Sequence, residues 1–314
     1  MSKIEQYIHA ATRDNTRRSY QAAIHHFEVS WGGFLPATAD SVARYLVDHA
    51  ETLAVNTLRL RLAALAQWHN DQGFPDPTKA PIVKKVLKGI RELHPAQEKR
   101  ARPLQLEELT ALTSWLEREC EAATAGGDHK SSLAHARNKA LLLLGFWRGF
   151  RGDELCRLQA EFVTVSPGEG LTIFLPRSKG DRQNAGREFR VPALSRLCPV
   201  SAYEEWIHLA DIGEGPVFRG INRWGHLSEQ GLKPNSVSAL LRRVFDESGT
   251  SKHAGISSHS LRRGFASWAN SNGWDAKALM EHVGWKDIQS AMRYIDVPDP
   301  FSRQLIERSL AKPP

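Results

Sequence analysis

Apolar residues in the first hundred positions recur every three or four places. In RRSYQAAIHHFEVSW, Tyr20, Ile24 and Phe27 share one side and leave Arg17, Arg18 and His25 on others, which is the period of an amphipathic helix opened by Asn15-Thr16. Thr38-Ala39-Asp40 offers a cap for SVARYLVDHA. Val55-Asn56-Thr57 starts LRLRLAALAQWHNDQG, which stops at Gly73 with Pro75 just beyond. Residues 79–91 turn Val83, Leu87 and Ile90 inward and leave Lys84, Lys85, Lys88 and Arg91 for solvent or a ligand. Residues 1–95 therefore read as a small all-helical domain.

The period then lapses in HPAQEKRARP, a polar, proline-bounded stretch rich in basic residues, so 96–103 reads as an interdomain linker. Beyond it, 104–121 and 135–159 are helical by period, and the leucine-rich run 140–146 reads as buried helix. LTIFLP and EFRVPAL alternate as strands around the glycine-containing turn RSKGDRQNAG, and helices are expected from Val200 to the end. A last short helix, FSRQLIERSLAK, carries a stripe of Phe301, Leu305, Ile306 and Leu310 after a proline-broken segment. The expected fold class is mainly α: a helical domain over 1–95, then an α-rich domain over 104–314 with a small antiparallel sheet. No repeat of fixed period and no low-complexity tract appears.

With 314 residues, 41% hydrophobic and 25% charged, the chain can bury two cores. No apolar run approaches the roughly 18 residues of a membrane span, and MSKIEQYIHAATRDN lacks a signal peptide's apolar stretch, so a cytoplasmic location is expected. Cys120, Cys156 and Cys198 are far apart and without CxxC spacing, which indicates neither a disulfide framework nor a zinc site. The formal charge of +7 suggests a polyanionic partner. Residues 1–100 hold 14 Lys+Arg against 10 Asp+Glu, and the remainder 28 against 25. Neither part has a basic tail, so a DNA-binding surface would have to be made by folding.

Several residues sit in settings that ordinary surface charge does not explain. GFRGDELCRL puts Arg151 directly after a strongly apolar helix, SSHSLRRGFASWAN sets His259 and Arg262 three apart on one helical face, and SKG puts Lys179 in the predicted turn. In MEHVGWKDIQSAMRYID, residues 280–296, Tyr294 follows Trp285 by nine positions in an otherwise ordinary amphipathic pattern packing through Val283, Ile288 and Met292. Singly, each has a plain reading: Arg151 paired with Glu154, His259 as a cap, Lys179 as a solvated turn residue, Tyr294 as a half-buried phenol. Jointly they meet a chemical need. Two guanidiniums, Arg151 and Arg262, can each donate paired hydrogen bonds to the nonbridging oxygens of a phosphodiester in its pentacoordinate transition state. An ammonium, Lys179, can protonate a leaving 5′-oxygen, while His259 and the Trp285 indole N–H add hydrogen bonds. A phenol ordinarily titrates near about 10 and becomes a usable nucleophile among cations, which suits Tyr294. No carboxylate cluster or H-E-x-x-H spacing suggests a metal nuclease.

The ordered segments G-F-R-G-D-E-L, R-S-K-G, H-S-L-R-R and G-W-K-D-I…R-Y-I resemble the catalytic signatures of the tyrosine recombinases, the phage integrase family. The resemblance covers nearly the whole chain, and Trp285 together with RSKG followed by AGREFRV leans toward its Cre-like, simple two-domain branch. It implies a SAM-like core-binding domain over 1–95 and a catalytic domain over 104–314. It also implies site-specific recombination through a 3′-phosphotyrosine and a Holliday junction, without metal or nucleotide cofactor. Arg151 and Arg262 then match the phosphate-binding arginines, Glu154 an orienting carboxylate, Lys179 the general acid and His259 the histidine of H-x-x-R. Trp285 takes a position held by His in most relatives, and Tyr294 matches the nucleophile. Arg148 and Arg263 are rival arginines outside the G-x-R-x-x-E-L and H-x-L-R registers, and Ser260 stands where many relatives have Asp. The implied partners are duplex DNA with inverted-repeat half-sites and further copies of the chain, two per site and four in the synapse, at the prokaryotic nucleoid. Arg17, Arg18, Arg59, Arg61, Lys84, Lys85 and Lys88 lie away from the apolar stripes as candidate DNA contacts. A topoisomerase or hairpin-forming resolvase of the same chemistry, or a DNA-binding protein without catalysis, are the alternatives.

Overall fold

Capping and packing decide where each helix begins. In a computed structural model, which describes residues 2–12, 14–95, 100–176, 186–250, 253–292 and 294, the chain divides into two compact units, Met1–Lys99 and Arg100–Pro314. The first holds α1 (Lys3–Ala11), α2 (Asp14–His25), α3 (Ala39–Asp48), α4 (Val55–Asp71) and α5 (Pro81–Leu93). Thr38, extended at the start of α3, accepts from the Ser41 N–H at 3.1 Å, as its N-cap position predicts. After α2 the helix widens into a π-turn over His26–Ser30, closed by the Trp31 N–H on the His26 carbonyl at 2.9 Å. The core collects Phe27, Tyr45, Leu46, Leu58, Leu65, Val83 and Ile90, with the Phe27 and Trp31 rings 5.0 and 5.2 Å from that of Tyr45.

The second unit is organised by α6 (Leu106–Ala125) and α7 (His129–Trp147). From Ala140 to Phe146 every residue of α7 is buried, because α6, α9 (Pro199–Leu209) and α11 (Ser258–Ser271) all pack on it. The single helix expected over 135–159 is instead two: α7 stops at Trp147, Gly149 turns with φ +62°, and α8 (Gly152–Cys156) restarts. A three-stranded antiparallel sheet follows in the order β1 (Val163–Ser166), β2 (Gly170–Leu175), β3 (Arg187–Pro192), with Leu175 opposite Arg187. β1 was not expected, since its four residues are too short a run to show alternation.

Helices do not fill the chain after Val200, either. A hairpin of β4 (Arg219–Ile221) and β5 (Leu227–Gly231) intervenes. Its alternation is weak; what fixes its turn is the Asn222 side-chain oxygen, which accepts from the Trp224 and His226 N–H groups at 2.9 and 3.0 Å. Then come α10 (Pro234–Ser248), α11, α12 (Ala276–Val283) and α13 (Ile288–Met292). Within the stretch assigned to a linker, the Arg102 N–H bonds the Gly255 carbonyl at 2.9 Å; directly after it, the buried Leu104 bonds the Ser260 carbonyl at 3.0 Å. A Cβ on Gly264 would lie 2.1 Å from the Leu104 carbonyl oxygen, so only glycine lets α11 approach this segment.

The amphipathic pattern of 280–296 also breaks. Gly284, left-handed at φ +80°, ends α12, and α13 restarts at Ile288, with the Asp287 carboxylate accepting from the Ser290 N–H at 2.7 Å. Val283 is buried as expected, but Ile288 and Met292 are 48% and 56% exposed, and Ala291 makes the inward contact. The face expected to hold Tyr294 in place is therefore the wrong one, because the chain turns between Val283 and Ile288.

Candidate active site

Arg151 is presented by the corner between α7 and α8. A Cβ on Gly149 would meet the Val283 side chain at 3.2 Å, so the left-handed turn and the tight approach of α12 both require glycine. Arg151 is extended at the N-cap of α8, and Glu154 reaches back to it: the carboxylate accepts from the Arg151 N–H at 2.8 Å and from its Nη1 at 2.7 Å. The Glu154 side chain is 4% exposed and that of Arg151 22%, so the carboxylate lies beneath a guanidinium that still faces solvent. The pairing that served as the plain reading of Arg151 thus orients it.

Arg262 enters from α11. Ser257 caps this helix, and its N–H donates to the Ser260 hydroxyl at 3.0 Å, a capping box that gives the buried Ser260 its function. One turn on, Arg262 is fully buried. Its Nη1 donates to the Gly149 carbonyl at 2.6 Å and lies 3.7 Å from Glu154, while Nε and Nη2 are buried without a hydrogen-bond partner. Burial, and then the charge of Arg151, pull its pKa down to about 9 against the opposing effect of Glu154. Such a cation is under-compensated, and an anion brought to its unpaired N–H groups would relieve it.

The remaining groups close over this guanidinium. Its carbon lies 4.8 Å from the Trp285 ring centroid and 5.5 Å from that of Tyr294. Trp285 is buried, and its indole N–H has no partner. The Tyr294 N–H bonds the Ala291 carbonyl at 2.9 Å, its ring lies 5.3 Å from Trp285, and its hydroxyl stands 3.4 Å from Nδ1 of the exposed His259. Six of the seven residues read from the sequence, Arg151, Glu154, His259, Arg262, Trp285 and Tyr294, thus converge. Lys179 lies within 177–185, outside the described residues.

Two neighbours were not assigned roles from sequence. His282 packs against the Phe265 ring, centroids 4.8 Å apart, and bonds the Trp147 carbonyl at 2.8 Å. Burial, then the charge of Arg148, lower its pKa to about 4, so it is neutral and its Nε2 is the donor. It ties α12 to the corner that presents Arg151, and a histidine within MEHVGW gives no local sign of that. Arg148, set aside as a rival, is buried beside the same corner. In the first unit, Arg18, Arg59, Lys84, Lys85 and Lys88 are exposed and Arg17 pairs with Asp14. Arg61 departs from expectation: it turns inward and donates to the Tyr45 hydroxyl at 2.8 Å, because the aromatic core leaves that phenol in need of a donor.

A family model described as the phage integrase family matches residues 128–299. The chain belongs to this family. Among relatives of this integrase-family protein, the integrase/recombinase XerD homolog of Selenomonas ruminantium is 29% identical, over 99% of the chain and 89% of the relative. The recombinase Cre of Escherichia phage P1 is 25% identical, over 83% of the chain and 77% of the relative. The fold matches the Tn1549 transposon integrase in complex with transposon right end DNA at a TM-score of 0.62, with 15% identity over 96% of this chain and 95% of that one. It also matches a lambda integrase dimer bound to a COC′ core site, at a TM-score of 0.57 with 15% identity over 95% of each chain. The protein is a tyrosine recombinase of mainly α fold.

Proposed function

We propose that this site-specific recombinase, which cleaves and rejoins DNA strands, uses Tyr294 as its nucleophile. The Tyr294 hydroxyl attacks the scissile phosphorus, passing its proton toward His259, and the P–O5′ bond breaks as Lys179 protonates the departing 5′-oxygen. Arg151 and Arg262 donate to the nonbridging oxygens, where charge grows in the transition state, and Glu154 holds both guanidiniums. The Trp285 indole N–H donates to the same phosphate. A 5′-hydroxyl from the partner strand then attacks the 3′-phosphotyrosine, returning the phenol and leaving a Holliday junction after one pair of exchanges. Bond energy is conserved in the phosphotyrosine, so the cycle calls for no nucleotide. The observation that carries this reading is the buried Arg262 guanidinium, with two unpaired nitrogens, stacked beneath the Tyr294 and Trp285 rings.

The same reading takes duplex DNA with inverted-repeat half-sites as the substrate, bound by two copies per site and four in the synapse, in the cytoplasm at the nucleoid. Among the described residues no helix is long and apolar enough to cross a membrane. The helical unit 1–95 serves as the core-binding domain, with Arg18, Arg59, Lys84, Lys85 and Lys88 toward phosphates or base edges. The test is Tyr294→Phe with the native flanking DNA. It should abolish the protease-sensitive covalent adduct while leaving DNA affinity nearly unchanged, since the hydroxyl contributes little to ground-state binding. A Tyr294→Phe protein that still forms the adduct removes Tyr294 from the mechanism.

A further inference from the structure

Arg148, at the C-cap of α7, is 6% exposed, almost as deeply buried as Arg262. Its guanidinium carbon lies 4.9 Å from the ring centroid of Phe189 on β3, and the guanidinium carbon of Arg187 lies 5.2 Å from the same ring. Two cations therefore share one aromatic side chain. The Arg148 Nε is buried without a hydrogen-bond partner, and among the described residues no carboxylate stands within ion-pair distance of Arg148. Glu154 is the carboxylate whose charge acts on Arg148, and it is committed to Arg151 and Arg262. Among the described residues, three guanidiniums at this corner thus rely on one carboxylate.

A buried cation kept for stability alone is ordinarily paired, because desolvation without a counter-charge is costly. Here the neighbours are a ring, a second guanidinium and His282, which is itself held neutral with its pKa lowered to about 4. Arg148 is also pushed down, to about 10, by burial first and then by Arg187. Among the described residues nothing supplies the missing charge, and Arg148 stands near enough to Arg262 for its charge to lower the pKa of that guanidinium, whose Nε and Nη2 are themselves unpaired.

We infer that Arg148 is a third cation of the phosphate pocket, a positioning residue whose charge is compensated only when a DNA phosphate lies beside Arg151 and Arg262. This inference rests on the Tyr294 reading above and adds a consequence to it. A phosphate beside Arg151 and Arg262 offsets the mutual repulsion of these guanidiniums across the α7–α8 corner and β3. Arg148 then contributes by raising the potential at the phosphate rather than by touching the reacting atoms.

Thermal unfolding of the full chain during an inorganic phosphate titration, with ionic strength held constant by chloride, tests it. Without phosphate, Arg148→Met should unfold about 3 °C or more above the wild type, because an uncompensated buried charge is replaced by an apolar stem. It should also bind phosphate about tenfold more weakly, and Arg148→Lys should restore most of that affinity. Wild-type phosphate affinity in Arg148→Met overturns the inference at any melting temperature, and so does an Arg148→Met protein that fails to fold. Arg151→Ala is the control: if it too leaves phosphate affinity unchanged, the pocket reading itself is wrong, whereas a loss in Arg151→Ala alone removes only Arg148.

Discussion

Replacing Glu154 by Gln removes the negative charge that, among the described residues, pairs with the arginine corner, while keeping the side chain's shape. Its oxygens stand 2.7 Å from Arg151 and 3.7 Å from Arg262. At an effective dielectric of ~20, a unit pair at the longer distance is worth about 4 kcal/mol before desolvation. The carboxylate's own burial offsets part of this, so the net destabilisation should be about 3 kcal/mol, the range seen when one partner of a buried pair is removed. For a unit of this size that corresponds to a fall of about 10 °C in Tm. Thermal unfolding in chloride measures it, and phosphate should restore part of the loss by supplying the missing negative charge. Cleavage should fall as well, since the amide keeps an acceptor for the Arg151 N–H but holds the guanidinium only weakly. If Glu154→Gln melts within about 1 °C of the wild type, the argument that Glu154 compensates buried arginines is wrong.

Other outcomes can be read in separate assays. Lys179→Ala should lose strand cleavage and regain it on a substrate whose bridging 5′-oxygen is replaced by sulfur, since a thiolate leaves without a proton; rescue of a different variant instead would move the general acid elsewhere. The partly buried His282 refuses a proton that the unfolded chain accepts, so stability should be complete above pH ~6.5 and fall as pH drops toward ~4, by up to about 3 kcal/mol. Urea unfolding of His282→Gln should lack that component, and a profile overlaying the wild type's contradicts the assignment. Neutralising Lys84, Lys85 or Lys88 should weaken binding to all DNA sequences alike and reduce the salt slope by about 1 at each phosphate contact; unchanged slopes in all three would give α5 another task.

What the sequence determines by itself is local. The period of Val83, Leu87 and Ile90, the Thr38 cap and the leucine run of α7 each follow from neighbours within a turn or two, and the structure keeps them. The spacing of Arg151 to Glu154 and of His259 to Arg262 is also local, so these candidate residues were legible before their geometry. Where periodicity misled, a single glycine had intervened: Gly149 divides the helix expected over 135–159, and Gly284 turns Ile288 and Met292 outward. Such breaks are set by what packs against them, Val283 on Gly149 and Arg187 on Gly284, and those contacts are far away in the chain. The same holds for charge. That Arg262 finds the Gly149 carbonyl 113 positions away, that His282 finds Trp147 at 135, and that Arg61 turns inward to Tyr45 are decisions of the tertiary structure. A buried polar group must be satisfied by whatever the fold brings beside it, and a one-dimensional pattern of apolar and polar positions does not contain that neighbour.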